Sequence, residues 1–401
     1  MQKGGRWVEI AVEKIRAYRL SAHHLDKKYP LTDLEAAAGA CGLQNSPPGA
    51  WETALFNRLE NCTLAGLQKA LYQQKNLLQA WSYRGVPVVF PTCEWCVFLE
   101  PLAAQEGEAP WIYTRGLTAA LDFLQMTFDD LLPLVMNAAK YLDNHVLVSK
   151  ETLDQVLAKM VVEQLPADLC TLWQAPSMYD QAHKQTVGEA VVSFMLRPCS
   201  FQGLVVFGER QAVTPTFTSL KNWLGHLPES LPEAEKALVR KYLHCYGPAT
   251  VQSFKEWLGC SPGQAKRLWS QAAAEMVPIQ RMGKVQFMLS DDLPALLAAE
   301  EGEEVKLLGA HDPYLDLRDR IVILDSQALH KMVWQTVANP GVVLKGGRII
   351  GHWKTNMQKK QMHLTITLYE KVSASQQKQL EQMSQEYAAF RGRIIGKLAI
   401  Q

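Results

Sequence analysis

Apolar residues recur every three to four positions over most of the chain, and short β-rich stretches carrying Gly or charged turns interrupt them at intervals. Between Leu31 and Lys75 the segments LTDLEAAAGACGL, AWETALFNRL and TLAGLQKALYQQ predict three amphipathic helices with short connections, and a strand-like GVPVVFPT follows. A second round runs from Tyr113 to Leu224. There TRGLTAALDFLQM, FDDLLPLVMNAAKYL, SKETLDQVLAKMV and GEAVVSFMLRP predict helices, and GLVVFGERQAVTPTFTSL predicts a hairpin turning at Gly208-Glu209-Arg210.

The third round is the most regular. From LPEAEKALVRKYL to FMLSDDL it holds three helices and a hairpin, with helix breaks at Gly247-Pro248 and Gly259-Cys260-Ser261-Pro262 and a hairpin turn at Gly283-Lys284. Two short helices with a tight link, a third helix and a hairpin make the winged helix-turn-helix pattern, whose third helix enters a DNA major groove. On that helix Gln264, Lys266, Arg267 and Gln271 supply polar and cationic reach. A Lys-Arg pair on a helix equally describes a solvated face. After the acidic linker LLAAEEGEEVK the character changes to a separate small β domain, with a tight turn at Lys345-Gly346-Gly347-Arg348 and a closing helix, SQQKQLEQMSQEYAAFRG.

A chain of 401 residues with 48% hydrophobic content can bury two or three cores. No apolar run reaches the roughly 18 residues a membrane span needs, and MQKGGRWVEIAVEKIRAYRL alternates charge with apolar residues in helical period, so neither a signal peptide nor a membrane anchor is expected. Eight scattered cysteines are too sparse for a disulfide scaffold and point to a reduced, cytoplasmic setting. The one close pair, Cys93 and Cys96, lacks a second pair or histidines at ligand spacing, so it reads as two helix-face cysteines behind a Thr92 cap; no metal and no cofactor are expected. Net charge is only +1, so any nucleic-acid site must be a local patch.

Three segments carry a resemblance. RKYLHCYGPATVQSFKEWLG (240–259), HDPYLDLRDR (311–320) and PGVVLKGGRIIGHWK (340–354) resemble the matching stretches of the AlkZ-like (also YcaQ-like) winged-helix proteins, bacterial DNA glycosylases that excise alkylated bases and unhook interstrand crosslinks. RGVPVVFP at 84–91 and GLVVFG with PTFTSLKNWLG at 203–225 fall in the family's order. The resemblance implies a mainly α fold with β hairpins: three tandem winged-helix units (1–110, 111–228 and 229–295), then a small β-barrel-like domain at 304–401 with a terminal helix. It further implies a monofunctional, metal-free enzyme, monomeric and nucleoid-associated, acting on double-stranded DNA with alkylated or crosslinked bases.

In that family a Gln-x-Gln or Gln-x-Asp pair positions the hydrolytic water beside the anomeric carbon. Here the pair falls in ACGLQNSPPGAW as Gln44 and Ser46, with Asn45 between them as a DNA contact. A carboxamide can accept from and donate to a water, whereas a serine hydroxyl offers one donor and two lone pairs on a shorter arm. From the residues alone, Ser46 equally serves as a cap for a helix opened by Pro47 or Pro48. The family's histidine between Arg84-Gly85 and the proline is absent, while Arg84 is retained as a phosphate contact or an intrachain partner. Lys266, Arg267 and Lys284 complete the expected DNA contacts. His311, Asp312 and Asp316 invite a metal or acid-base reading, but the stretch reads more simply as a turn in which Asp312 binds backbone amides, with Asp316, Arg318, Asp319 and Arg320 pairing at a domain junction. The competing functions are a non-catalytic tandem winged-helix DNA-binding module and a transcription regulator.

Overall fold

The computed structural model describes residues 9–109, 116–180, 184–281, 283–335 and 337–401. Residues 1–8 of the amino-terminal periodic stretch and the Thr114-Arg115 start of the second round lie outside them. The fold is mainly helical with several small sheets. Among the described residues no helix is long and apolar enough to cross a membrane. The chain forms two compact units, one taking Met1–Ala70, Val239–Trp257 and Trp269–Gln401, the other Leu71–Leu238 and Leu258–Leu268.

The first unit is organised on a five-stranded sheet, in the order Ile394–Ile400, Gln361–Leu368, Arg348–Gln358, Gly341–Lys345 and Val305–Leu308. Neighbours are antiparallel except the first pair, which is parallel. The turn at Gly346-Gly347 has φ of 58° and 89°, the two positive values that a type I′ hairpin demands. A parallel pair needs a crossover, and the helix Ala374–Phe390 provides it, entered through a Ser373/Gln376 capping box. Its Leu380 and Ala388 pack with Ile350, Trp353, Leu364 and Ile366 on one face of the sheet.

Two expectations are corrected here. The chain closes on a strand, IIGKLAI, and not on the helix before it. That strand lands beside Gln361–Leu368, at the edge away from Val305–Leu308, so the sheet is open and not a closed barrel.

Onto this unit the helix Val12–Ala22 brings two buried arginines. Arg16 pairs with Glu301 at 2.6 Å, and Arg19 pairs with Asp319 at 3.2 Å. Asp319 also takes Arg281 at 2.9 Å from the strand Met276–Arg281, which forms a hairpin with Lys284–Leu289 across Gly283. The Lys345-Gly346-Gly347-Arg348 turn falls where its residues place it, whereas in the other hairpin Gly283 is in the turn and Lys284 is already in the strand, paired with Arg281.

The second unit has its core among the helices Phe128–Ala139, Lys150–Val162, Ala167–Gln174 and Val187–Phe201, with Leu131, Leu153, Trp173, Val191 and Met195 buried together. Thr127 with Asp130 and Thr186 with Glu189 form capping boxes that start two of these helices. Trp81 stacks on Phe217 at 5.4 Å, joining the strand Leu77–Trp81 to the same core. That strand, absent from the sequence expectation, pairs antiparallel with the expected Pro87–Pro91. The hairpin Val206–Gln211/Thr214–Thr218 turns at Ala212-Val213 and not at Gly208-Glu209-Arg210. Gly208 lies inside the strand, where a Cβ would come within 2.6 Å of Thr216 Oγ1; the glycine serves close cross-strand approach, not a turn. Thr92 caps no helix either, since its hydroxyl donates to the Lys75 carbonyl.

Gly188 is the tightest point of this core. Trp173 Nε1 donates to the Ala158 carbonyl at 3.0 Å, and a Cβ on Gly188 would lie 2.1 Å from that nitrogen. Gly188→Ala is expected to destabilise the protein by about 1–3 kcal/mol through overpacking. A denaturant midpoint within error of the parent would refute this packing assignment.

Candidate active site

The loop between Cys41 and the helix Ala50–Arg58 is closed by its own side chains. Asn45 is buried, and its Oδ1 accepts from the Gly49 amide at 2.7 Å. Gly49 itself, at φ 91°, opens the helix without a side-chain cap, so Ser46 is not the cap that its position before two prolines allows. Asn45 braces the loop through that bond and caps no helix, and its side chain is buried where a DNA contact was expected.

Gln44 is half-buried, and its Nε2 donates to the Ser46 carbonyl at 2.8 Å and faces His311 Nδ1 at 3.3 Å. The first contact fixes which end of the carboxamide is which, because an oxygen held 2.8 Å from a carbonyl oxygen would be repelled. His311 Nδ1 must then be the acceptor, which puts the ring proton on Nε2. Both amide protons of Gln44 are thereby occupied. Its Oε1 has no protein partner among the described residues, and the half-buried Ser46 hydroxyl likewise has none. The Gln44 carboxamide therefore presents a pure acceptor beside a hydroxyl, where the side-chain chemistry alone allows it to donate as well.

His311 lies 267 residues from Gln44 in sequence and has φ 62°, a conformation non-glycine residues seldom adopt. The neighbouring ion pair holds it there. Arg58, at the other end of the Ala50–Arg58 helix, makes two bonds to Asp312, at 2.8 and 2.9 Å, with both residues almost wholly buried. Arg58 also donates to the carbonyls of His23 and Ala54, and Asp312 accepts from the Tyr314 amide at 3.0 Å. Burial alone would lower the Arg58 pKa, but the charge and hydrogen bonds of Asp312 outweigh it and raise it. The Asp312 turn is thus structural, as read from the sequence. Asp316 does pair with Arg318, at 3.2 Å, but Asp319 goes to Arg19 and Arg281, and Arg320 lies over the Trp334 ring.

The remaining expected contacts divide. Lys266 and Lys284 are exposed. Arg84 is half-buried at φ 55° with its guanidinium 4.9 Å from the centre of the Tyr83 ring. Arg267 is held by Glu108 at 2.6 Å and by Glu235, so its charge is neutralised within the second unit. Gln264 is buried, donating to the carbonyls of Pro101 and Ala103. Two of the side chains expected to reach out from that helix are turned to structure. In the first unit, Pro47, Pro48 and Gly49 also line a cleft of about 440 Å³ with Asn339, Lys354 and Tyr387.

A sequence profile of the AlkZ-like family, described as DNA glycosylase AlkZ-like, matches residues 37–390, from just before the Gln44 loop to the end of the last helix. The chain belongs to the AlkZ-like DNA glycosylase family. An AlkZ-like relative, the interstrand DNA cross-link repair glycosylase of Streptomyces sahachiroi, is 26% identical over 171 residues, which cover 40% of this chain and 45% of that protein. The match thus spans about half of the relative's length. The solved structure of the Streptomyces sahachiroi DNA glycosylase AlkZ superposes with a TM-score of 0.77 at 19% identity, over 98% of this chain and 100% of that one, which shows a common fold.

Asp312→Ala leaves the Arg58 guanidinium buried without its counter-charge and is expected to cost about 3–5 kcal/mol, whereas Arg58→Met with Asp312→Leu should cost much less. Equal losses in the two proteins, measured by urea unfolding, would contradict the role given to this pair.

Proposed function

We propose that this chain is a monofunctional DNA glycosylase that hydrolyses the N-glycosidic bond of alkylated or interstrand-crosslinked bases in double-stranded DNA. The observation that carries the reading is the Gln44 carboxamide, whose amide protons are committed to Ser46 and His311 and whose oxygen is left to accept. An N7-alkylated purine is already cationic, so it departs without a strong base. In this reading Gln44 Oε1 accepts one proton of the attacking water, and the Ser46 hydroxyl takes a second contact with it. The water oxygen bonds to C1′ while the C1′–N9 bond breaks and its electron pair neutralises the leaving base. The extra proton on the new hydroxyl passes to solvent, since a carboxamide is too weak a base to keep it. His311 acts through Gln44 and is a positioning residue.

The architecture we propose for DNA engagement is the tandem one. The helices Ala234–Tyr246, Val251–Leu258 and Pro262–Gln271 followed by the Met276–Leu289 hairpin have the order of a winged helix, and helix-plus-hairpin runs at 1–110 and 111–228 precede them. Lys266, Lys284 and Arg84 are the phosphate contacts in this reading, in a monomer working on the bacterial nucleoid in the cytoplasm. The second reading, a damage-binding module without hydrolysis, is favoured by Ser46 standing where the family pair has an amide or carboxylate.

Gln44→Ala is expected to lower excision from a duplex carrying one N7-alkylguanine by about a hundredfold, with DNA affinity nearly unchanged, because the contact acts mainly in the transition state. His311→Ala should lower excision less. Ser46→Gln, which restores the family pair, should keep or raise it. Unchanged excision by Gln44→Ala removes the assignment, and no excision by either the parent or Ser46→Gln favours the binding module.

Binding should weaken with salt at about 0.9 logarithmic units per neutralised phosphate, and Lys284→Ala should reduce that slope by about one contact. A slope that Lys284→Ala leaves unchanged would take this lysine off the DNA.

A further inference from the structure

Behind the Gln44 loop, the first unit holds His23, Cys41 and Cys245, all buried, with one ligand atom from each lying within 4.8 Å of the others. They come from three separate places: the residue closing the helix Val12–Ala22, the turn three residues before Gln44, and the helix Ala234–Tyr246. Their distance in sequence explains why no ligand spacing is visible there. Cys41 Sγ lies 3.7 Å from His23 Nδ1. Two donors on one tetrahedral zinc, at its usual bond lengths to sulfur and nitrogen, stand about 3.6 Å apart. The observed separation is therefore already that of a ligand pair.

The second nitrogen completes the argument. His23 Nε2 is 3.1 Å from the Cys245 carbonyl, so it carries the ring proton and leaves Nδ1 with its lone pair toward the thiol. A histidine held by a carbonyl through one nitrogen and aimed by the other is the usual arrangement of a metal ligand. The Arg58 guanidinium, bound to the His23 carbonyl at 2.8 Å, adds a positive charge nearby, but Asp312 balances it and two thiolates would balance a dication. Among the described residues no fourth His, Cys, Asp or Glu joins the group. The carbonyls of Ala40 and Ala22, 3.4 and 3.7 Å from Cys245 Sγ, are the nearby hard donors.

We propose that His23, Cys41 and Cys245 form a structural site for one soft d10 cation, Zn²⁺ or Cu⁺, that pins the turn leading into Gln44. Two sulfurs and an imidazole favour such ions over Mg²⁺ or Ca²⁺, and burial of all three ligands keeps substrate away from the remaining position, so the site is structural and not catalytic. Binding releases the two thiol protons to solvent and forms no other product.

The test uses the full chain, purified without chelator and under reducing conditions. Zinc and copper content are measured by elemental analysis, and protein stripped of metal is titrated with Co²⁺. The expected results are close to one equivalent of one metal, a thiolate-to-cobalt charge-transfer band saturating at one equivalent, and a thermal midpoint that falls on stripping and recovers with Zn²⁺ or Cu⁺. Recovery with one ion and not the other identifies which it is. Cys245→Ser should abolish the band, while Cys93→Ser, an exposed thiol elsewhere, should not. Absence of metal together with no cobalt band in the parent, a band surviving Cys245→Ser, or an intact mass showing Cys41 and Cys245 joined as a disulfide would each overturn the proposal. The parent titration decides the matter even where Cys245→Ser fails to fold.

Discussion

The geometry of the candidate site depends on one buried ion pair. Arg58 and Asp312 meet through two hydrogen bonds in a place closed to water, and neither can be withdrawn without leaving a bare charge in the interior. Arg58 ends the helix that the Gln44 loop begins, and Asp312 follows His311 directly. The pair thus ties one end of a rigid nine-residue helix to the chain segment that must supply an acceptor near its other end. Its net contribution to stability is modest by the usual reckoning, since desolvation offsets attraction. Its effect on position is larger, because the bidentate fork fixes distance and angle together.

From that fixed distance follows the orientation of Gln44. A free carboxamide can present either end to a water. Here the Ser46 carbonyl admits only the amide end, and His311 takes the second proton. The substitution of a serine in the family pair then has a defined meaning. A second carboxamide would bring an acceptor and a donor, and a carboxylate only acceptors, each on a longer arm, whereas Ser46 brings one short hydroxyl that can donate or accept. The site combines an acceptor with a donor, which suits holding a water beside a leaving group that is already positively charged and does not suit removing a proton from a poor one.

Much of the fold was legible in the residues, and the failures share a cause. Gly346-Gly347 and Gly283 announced their hairpins because the conformations those turns need are costly for other residues. The closing helix was read as opening at Ser375, two residues past Ser373, whose hydroxyl caps it by accepting from the Gln376 amide. Gly208 misled, since a glycine between apolar runs signals either a turn or a close approach, and only the partner strand tells which. The terminal strand Ile394–Ile400 needed the count of a crossover, and Asn45, Arg267 and Gln264 needed their partners' positions before their polar atoms could be assigned inward. At the site, Gln44 stood out through the family pair, while His311 was raised only within an acid-base cluster and carried no signal of its contact with Gln44. Its neighbour Asp312 was read correctly as a turn residue, and the histidine was discounted along with it.

The inward use of polar side chains also bears on the DNA recognition proposed for this chain. With 41 basic and 40 acidic residues, free positive charge is scarce, and several arginines are consumed within the two units: Arg16, Arg19, Arg58 and Arg281 in the first, Arg267 in the second. Arginine is the side chain best suited to reading a base edge, because its fork matches guanine bidentately. The helix that a winged-helix reading would send into the major groove has its arginine neutralised and Gln264 buried, keeping Lys266 and Gln271 at the surface. A lysine is a hydrated point charge that grips phosphates with little regard to sequence. A transcription regulator needs base reading from that helix, and little of it is left. An enzyme that finds its substrate by a chemical lesion needs only the grip, and the selectivity then lies in the cationic base itself, which departs readily when a correctly held water attacks.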